Sequence, residues 1–206
     1  MNSVKFFYFD LGMVLLRFDV EVMCRRMGEV AGLDSPRVRR ALFEHPLQKD
    51  YERGRSTTRE FYEAFCRDTG VRPDFDALLC AASDIFDLDP TMIPVVARLY
   101  GAGHRLGILS NTCDCHWEHC LRRFPLLGEL FEVHALSYRI GAAKPEAAIF
   151  AAAANLAGVA PEEIFFTDDL AGHVAGARAV GFDAVQFTSP PQLAAELRAR
   201  GVRWNY

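Results

Sequence analysis

Basic residues are not in excess in this chain: 23 lysines and arginines stand against 27 aspartates and glutamates, a formal net charge of −4. A phosphate backbone calls for clustered Lys and Arg, so no nucleic-acid partner is expected, and Arg37, Arg39 and Arg40 read as one solvated helix face. Long apolar runs are missing too. Residues 147–160 are Ala-rich but too short to cross a bilayer, and Asn155 breaks them. The apolar stretch after Lys5 is interrupted by Asp10 and followed by no small-residue cleavage site, so it is not read as a signal peptide. A cytoplasmic protein without membrane partners is expected. Repeats, low-complexity tracts and long linkers are also absent.

Cysteine is sparse. Cys24, Cys66, Cys80, Cys113, Cys115 and Cys120 read as reduced thiols, several of them buried, in a chain long enough to build an ordinary core. The group Cys113, Cys115, His116, His119 and Cys120 lacks zinc-finger or ribbon spacing. His116 and Cys120 would nevertheless share a helix face within reach of Cys113, which leaves a zinc site open there.

What the chain does have is a run of β-branched and aromatic residues at 4–9 that ends on Asp10, the pattern of a strand buried on both faces of a parallel sheet. Helical patterns follow at 20–30 and 36–44, the latter with Ser35 as cap and Pro36 in the first turn. Thr57 and Glu60 form a capping box for a third helix to residue 69, and a fourth spans 75–86. No strand is expected in this block. Strict alternation begins at Asp89-Pro90, which opens a helix to residue 102. Strands are expected at 105–109, 131–136, 164–167 and 184–187, with helices between them and a last helix at 191–200. Alternation of this kind implies a doubly wound, Rossmann-like parallel α/β sheet with right-handed crossovers. The expected architecture is a five-stranded core of residues 1–15 and 89–206, with a helical cap of residues 16–88.

Three strands then end in polar residues: Asp10, Ser110-Asn111 and Asp168-Asp169. In a parallel sheet these ends share the carboxyl edge, where open α/β sheets bind ligands. Lys144, just before the helix opened by Pro145, is a fourth member. Crowded carboxylates repel one another unless a cation sits among them, and an oxygen-only set suits Mg²⁺. Ser110 and Lys144 could hold phosphoryl oxygens beside it.

The segments FDLGMVL, LSNT, the Lys-Pro of GAAKPEAAIF, and FFTDDLAGHVAGARAVG resemble, in order, the four motifs of the haloacid dehalogenase superfamily, in the subfamily (IA) with a helical cap after the first motif. DYERGRSTTREFYEAFC and the SNT-x-x-x-H run ending at His116 further resemble bacterial sugar-phosphate phosphatases of the glucose-1-phosphate type. They also resemble the subgroup related to the amino-terminal phosphatase domain of soluble epoxide hydrolase. The resemblance implies a hydrolase in which Asp10 attacks phosphorus and forms an aspartyl-phosphate that water then cleaves. It implies Mg²⁺ held by Asp10, the Gly12 carbonyl, Asp168 and Asp169, with the phosphoryl group bound by Ser110 and Asn111 and its charge balanced by Lys144.

One position departs from that pattern. The family has a second Asp, its acid/base, two residues after the nucleophile, and here that residue is Gly12. His116 is the expected substitute, and His173 is expected to order the loop after Asp169. Arg17, Asp19, Tyr51, Glu52 and Arg53 are the polar cap residues expected to meet the substrate, a small phosphorylated molecule. Loss of the acid/base keeps a second reading open, a slow or non-catalytic binder of phosphate ligands. A third is a 2-haloacid dehalogenase, against which the tandem Asp168-Asp169 argues. A monomer or homodimer is expected.

Overall fold

The computed structural model describes residues 4–203. Strand β1 (Phe6–Phe9) is followed by a tight loop and the two-residue strand β2 (Leu16–Arg17). Five helices come next: α1 (Val20–Ala31), α2 (Ser35–Phe43), α3 (Leu47–Glu52), α4 (Thr58–Thr69) and α5 (Phe75–Ser83). Strand β3 (Asp87–Leu88) leads into α6 (Ile93–Gly101), β4 (Arg105–Ser110), α7 (Asp114–Arg123), α8 (Leu126–Glu129) and β5 (Val133–Leu136). The chain ends with α9 (Ser137–Ile140), α10 (Ala147–Ala157), β6 (Ile164–Asp168), α11 (Ala171–Ala179), β7 (Asp183–Gln186) and α12 (Pro190–Ala199).

The main sheet is parallel throughout, in the order β5-β4-β1-β6-β7. All four residues of β1 are fully buried. Their side chains alternate: Phe7 and Phe9 join a cluster with α6, α7, α12 and the cap helices, whereas Phe6 and Tyr8 join a second cluster with α10 and α11. The period-two geometry of a strand therefore binds helices on both faces of the sheet. Gly107 on β4 pairs with Tyr8. A Cβ there would fall 2.6 Å from the Tyr8 ring and 2.7 Å from that of Phe6, so only glycine lets both rings lie across the strand. Among the described residues, no helix is long and apolar enough to cross a membrane.

Three local expectations are corrected. Residues 16–88 are not all helical, because β2 and β3 pair antiparallel, Leu16 with Leu88 and Arg17 with Asp87, where the chain leaves and re-enters the sheet. Asp34 rather than Ser35 caps α2, its carboxylate accepting the Arg37 N–H at 2.8 Å. Helix α6 starts at Ile93, because Asp89 takes the N–H and hydroxyl of Thr91 and holds the preceding residues in a turn. The Thr57–Glu60 capping box is present at the start of α4. Helix α3 was not expected: six residues are too few to show a period.

Candidate active site

Asp10 is set by the register of β1. Its N–H donates to Thr167 O at 3.0 Å, continuing the ladder with β6, while its side chain emerges at the carboxyl edge of the sheet. Oδ1 accepts the Leu11 N–H at 2.7 Å and lies 2.8 Å from Lys144 Nζ. Lys144, buried, also donates to Asp168 Oδ2 at 2.6 Å and to Leu109 O at 2.9 Å. An ammonium has three protons, so these three acceptors consume all of them. Lys144 is thus a fixed cation wedged between two carboxylates.

Asp168, at the end of β6, accepts the Leu170 N–H at 2.9 Å, and His173 Nδ1 in α11 stands 3.0 Å from both of its oxygens. The Asn111 side chain clasps the backbone of Lys144: Oδ1 accepts its N–H at 2.8 Å and Nδ2 donates to its carbonyl at 3.0 Å. The amide of Asn111 is therefore committed to positioning Lys144. The peptide bond from Lys144 to Pro145 is cis. Ser110 is buried, and its hydroxyl makes one long 3.5 Å contact to the Asn111 carbonyl.

The electrostatics of the cluster are uneven. Burial, reinforced by Asp168, pushes the Asp10 carboxyl up to about 6 despite Lys144. Burial acts on Asp168 as well, but His173, Lys144 and the Leu170 N–H outweigh it and hold that carboxyl at about 2. Asp169, half-buried, is raised by burial and then by Asp168. Ionised, the three carboxylates against one lysine leave two negative charges uncompensated. The ligand atoms of Asp10, Asp168 and His173 all lie within 4.8 Å of one another. Closely spaced oxygens with that charge deficit fit a hard divalent cation.

Gly12 belongs to a turn in which the N–H groups of Leu15 and Leu16 both reach Leu11 O and Met13 adopts φ +57°. A cavity of about 90 Å³ opens between this turn and the cap. Gly12, Ser110, Thr112 and His116 line it from the core, and Phe18, Gln48, Glu52 and Phe86 line it from the cap and its stalk. Asp10, Lys144 and Asp168 are not on its walls. His116 is buried, its ring 5.2 Å from that of Phe86. Burial raises the Glu52 carboxyl, against which Gln48 and then His116 act.

The other expected residues lie elsewhere. Arg17 donates through Nε and Nη2 to Asp89 Oδ2, at 3.0 and 2.9 Å. Arg53 pairs with Glu146, so it ties the cap to the start of α10. Asp19 caps α1. Tyr51 Oη accepts the Cys115 N–H at 3.2 Å and bonds Thr58 Oγ1 at 2.9 Å. In the thiol group, Cys113, Cys115 and His116 come together, whereas Cys120 is buried in the core and His119 faces Asp84 at 3.8 Å. Sequence reasoning missed Ser137, whose Oγ accepts the Thr112 N–H at 2.9 Å. The same atom lies 2.5 Å from the Glu52 carbonyl in the cap and 3.0 Å from that of Thr112 in the core. No motif carries that signal.

The family model for haloacid dehalogenase-like hydrolases matches residues 17–181. A phosphatase from Mycobacterium tuberculosis is 33% identical over 95 residues, 46% of this chain and 44% of that protein, so the match spans less than half of the relative's length. Among solved structures, a HAD family enzyme from Bacteroides thetaiotaomicron in complex with magnesium and inorganic phosphate superposes with a TM-score of 0.81. It is 24% identical, over 91% of this chain and 96% of that one. A predicted HAD-like family hydrolase from Porphyromonas gingivalis gives a TM-score of 0.80 at 25% identity, over 96% and 99% of the two chains.

Proposed function

This chain belongs to the haloacid dehalogenase-like hydrolase family, and we propose that within it the protein is a Mg²⁺-dependent phosphohydrolase of a small phosphate ester, a sugar phosphate in the first instance, working through an aspartyl-phosphate on Asp10. The observation that carries this reading is the asymmetry of the Asp10 carboxylate. Oδ1 is fixed by the Leu11 N–H and Lys144, while Oδ2 has no hydrogen bond among the described residues. Oδ2 is the oxygen free to attack phosphorus as the bond to the leaving oxygen breaks. Water then attacks the phosphorus of the aspartyl-phosphate, releasing inorganic phosphate and restoring Asp10.

Mg²⁺ would be held by Asp10, Asp168, Asp169 and the Gly12 carbonyl, and when bound it neutralises charge on the phosphoryl oxygens. Ser110, whose hydroxyl is nearly unspent, donates to one of those oxygens. Lys144 keeps Asp10 ionised beside Asp168, and Asn111 keeps Lys144 in place. With glycine at position 12, His116 protonates the leaving oxygen and later takes a proton from the attacking water, with the Glu52 carboxylate beside it. The small cavity implies that the cap opens to admit the organic part of the substrate.

A metal-free dehalogenase would use the same nucleophile on carbon. The two uncompensated negative charges weigh against it, because without a cation they repel a 2-haloacid anion. The test is release of inorganic phosphate from p-nitrophenyl phosphate and a panel of sugar phosphates, with Mg²⁺ or EDTA, beside Asp10→Asn. Metal-dependent release that vanishes in Asp10→Asn is expected. No release across the panel, from protein that still binds Mg²⁺ and phosphate, would replace the enzyme with a binding protein, and chloride release from 2-chloropropionate without metal would establish the dehalogenase.

A further inference from the structure

We infer that Cys113, Cys115 and His116 form a second metal site, selective for a soft cation of the Zn²⁺ class, at the amino end of α7 and separate from the carboxylate cluster. Their three ligand atoms lie within 4.8 Å of one another. The two sulfurs are 3.8 Å apart. Two thiolates on one tetrahedral zinc, each with a bond of about 2.3 Å, stand about 3.8 Å apart, so the pair already has the bite of a zinc chelate. A disulfide requires about 2.05 Å, so these atoms are not placed for oxidation without movement.

The surroundings fit an ion of this kind. Cys113 and His116 are buried and Cys115 is half-buried, which gives a sheltered site with one accessible side. Cys115 is fixed from the cap: its N–H donates to Tyr51 Oη, Tyr51 bonds Thr58 Oγ1, and Thr58 donates to Asp114 at 3.1 Å. The ring of His116 is held against Phe86, and neither of its nitrogens makes a hydrogen bond among the described residues. The two sulfurs face each other, and a cation of this class takes both as thiolates. Sulfur and imidazole donors select zinc over magnesium. His116 and Glu52 both line the cavity, so that carboxylate or water would supply a fourth ligand. Binding releases the thiol protons to solvent.

The consequence for catalysis rests on the reading of His116 as the acid/base: zinc would occupy that imidazole, so added Zn²⁺ inhibits an enzyme saturated with Mg²⁺. The test of the site does not rest on that reading. Reduced protein stripped of metal and held in excess Mg²⁺ is titrated with Co²⁺, which reports sulfur ligation by a thiolate-to-cobalt absorption band, and Zn²⁺ is then added to displace it. One Co²⁺ per chain with that band is expected, together with at least about tenfold weaker Zn²⁺ binding in Cys113→Ser and Cys115→Ser. Cys115→Ala, at the partly exposed position, is the second variant, and its fold is checked by circular dichroism. It keeps Mg²⁺-dependent turnover and loses inhibition by zinc. Absence of the band in the unmodified protein, or Zn²⁺ binding unchanged by the cysteine substitutions, overturns the site. Zinc binding that disappears in Asp168→Asn instead assigns the ion to the carboxylate cluster and overturns it equally.

Discussion

The Cβ that Gly12 lacks would lie 2.7 Å from Cε1 of Phe18. A side chain at position 12 would therefore require the Phe18 ring, which is 36% exposed, to shift aside. That ring lies 5.6 Å from the ring of Phe86, which in turn lies 5.2 Å from that of His116. A missing carboxylate on one side of an aromatic pair faces an imidazole on the other.

Restoring the carboxylate alone should consequently give little. Gly12→Asp is expected to raise kcat less than the double variant Gly12→Asp with Phe18→Ala, which should gain about 10²-fold, the lower end of the usual range for a general acid/base. Steady-state kinetics on a sugar phosphate compare the two. A single variant as fast as the double would show that the ring does not hold the position.

His116→Ala separates acid catalysis from binding. Turnover of a sugar phosphate, whose alkoxide needs a proton, should fall about 10²- to 10⁴-fold. Turnover of p-nitrophenyl phosphate, whose leaving group needs none, should fall far less. Equal losses on both substrates would assign His116 a role in binding or folding.

Lys144→Met leaves Asp10 and Asp168 facing each other without their shared cation. Removing one member of a buried charge cluster costs about 3–5 kcal/mol, which for a chain of this size is a fall in Tm on the order of 10 °C. Added Mg²⁺ should recover part of it, and thermal unfolding with and without the ion measures both.

His173→Ala removes the contact at 3.0 Å from both oxygens of Asp168. The carboxylate keeps Lys144 and the Leu170 N–H but loses the group that most opposes burial in holding its pKa low. Mg²⁺ affinity should weaken about 10- to 100-fold, with a smaller loss of kcat at saturating metal. Activity as a function of Mg²⁺ concentration distinguishes the two.

The pH dependence follows from Asp10. Its carboxyl titrates near 6 without metal, so kcat/KM at limiting Mg²⁺ should fall as pH drops through about 6, and saturating Mg²⁺ should move that limb to lower pH. For stability the sign is opposite for the two aspartates. The raised pKa of Asp10 means that the native state binds its proton more tightly than the unfolded chain, so this group's contribution declines between about pH 4 and 6 as pH rises. Asp168, depressed to about 2, contributes above about pH 4 and loses that contribution as pH falls through 2. A pH-rate profile at two Mg²⁺ concentrations, with unfolding curves over the same range, reads both effects.

Much of this was legible in the residues. The apolar runs ending on Asp10, Ser110 and Asp168 placed three strand ends on one edge, because a parallel sheet permits no other arrangement. The burial of Lys144 between two carboxylates follows from the same edge. What the sequence could not convey depends on contacts without a period or motif. The two-residue β2–β3 ribbon is too short to alternate, and α3 too short to repeat. The pairing of Arg17 with Asp89 and of Arg53 with Glu146 places both guanidinium groups off the cavity wall, which side-chain chemistry alone does not foretell. The motif resemblance assigns Asn111 to the phosphoryl group, and it does line the cavity, but its amide bonds the Lys144 backbone. Only the register of its loop against Lys144 shows where that amide is spent.

Ser137 carries a last consequence. Its hydroxyl owns a single proton but stands within reach of two carbonyls, that of Glu52 in the cap at 2.5 Å and that of Thr112 in the core at 3.0 Å. With the cap shut, the proton goes to the nearer oxygen. Were the cap to part from the core here, rotation about the Cβ–Oγ bond would turn the proton to Thr112, so Ser137 would keep a partner on the core side of the boundary.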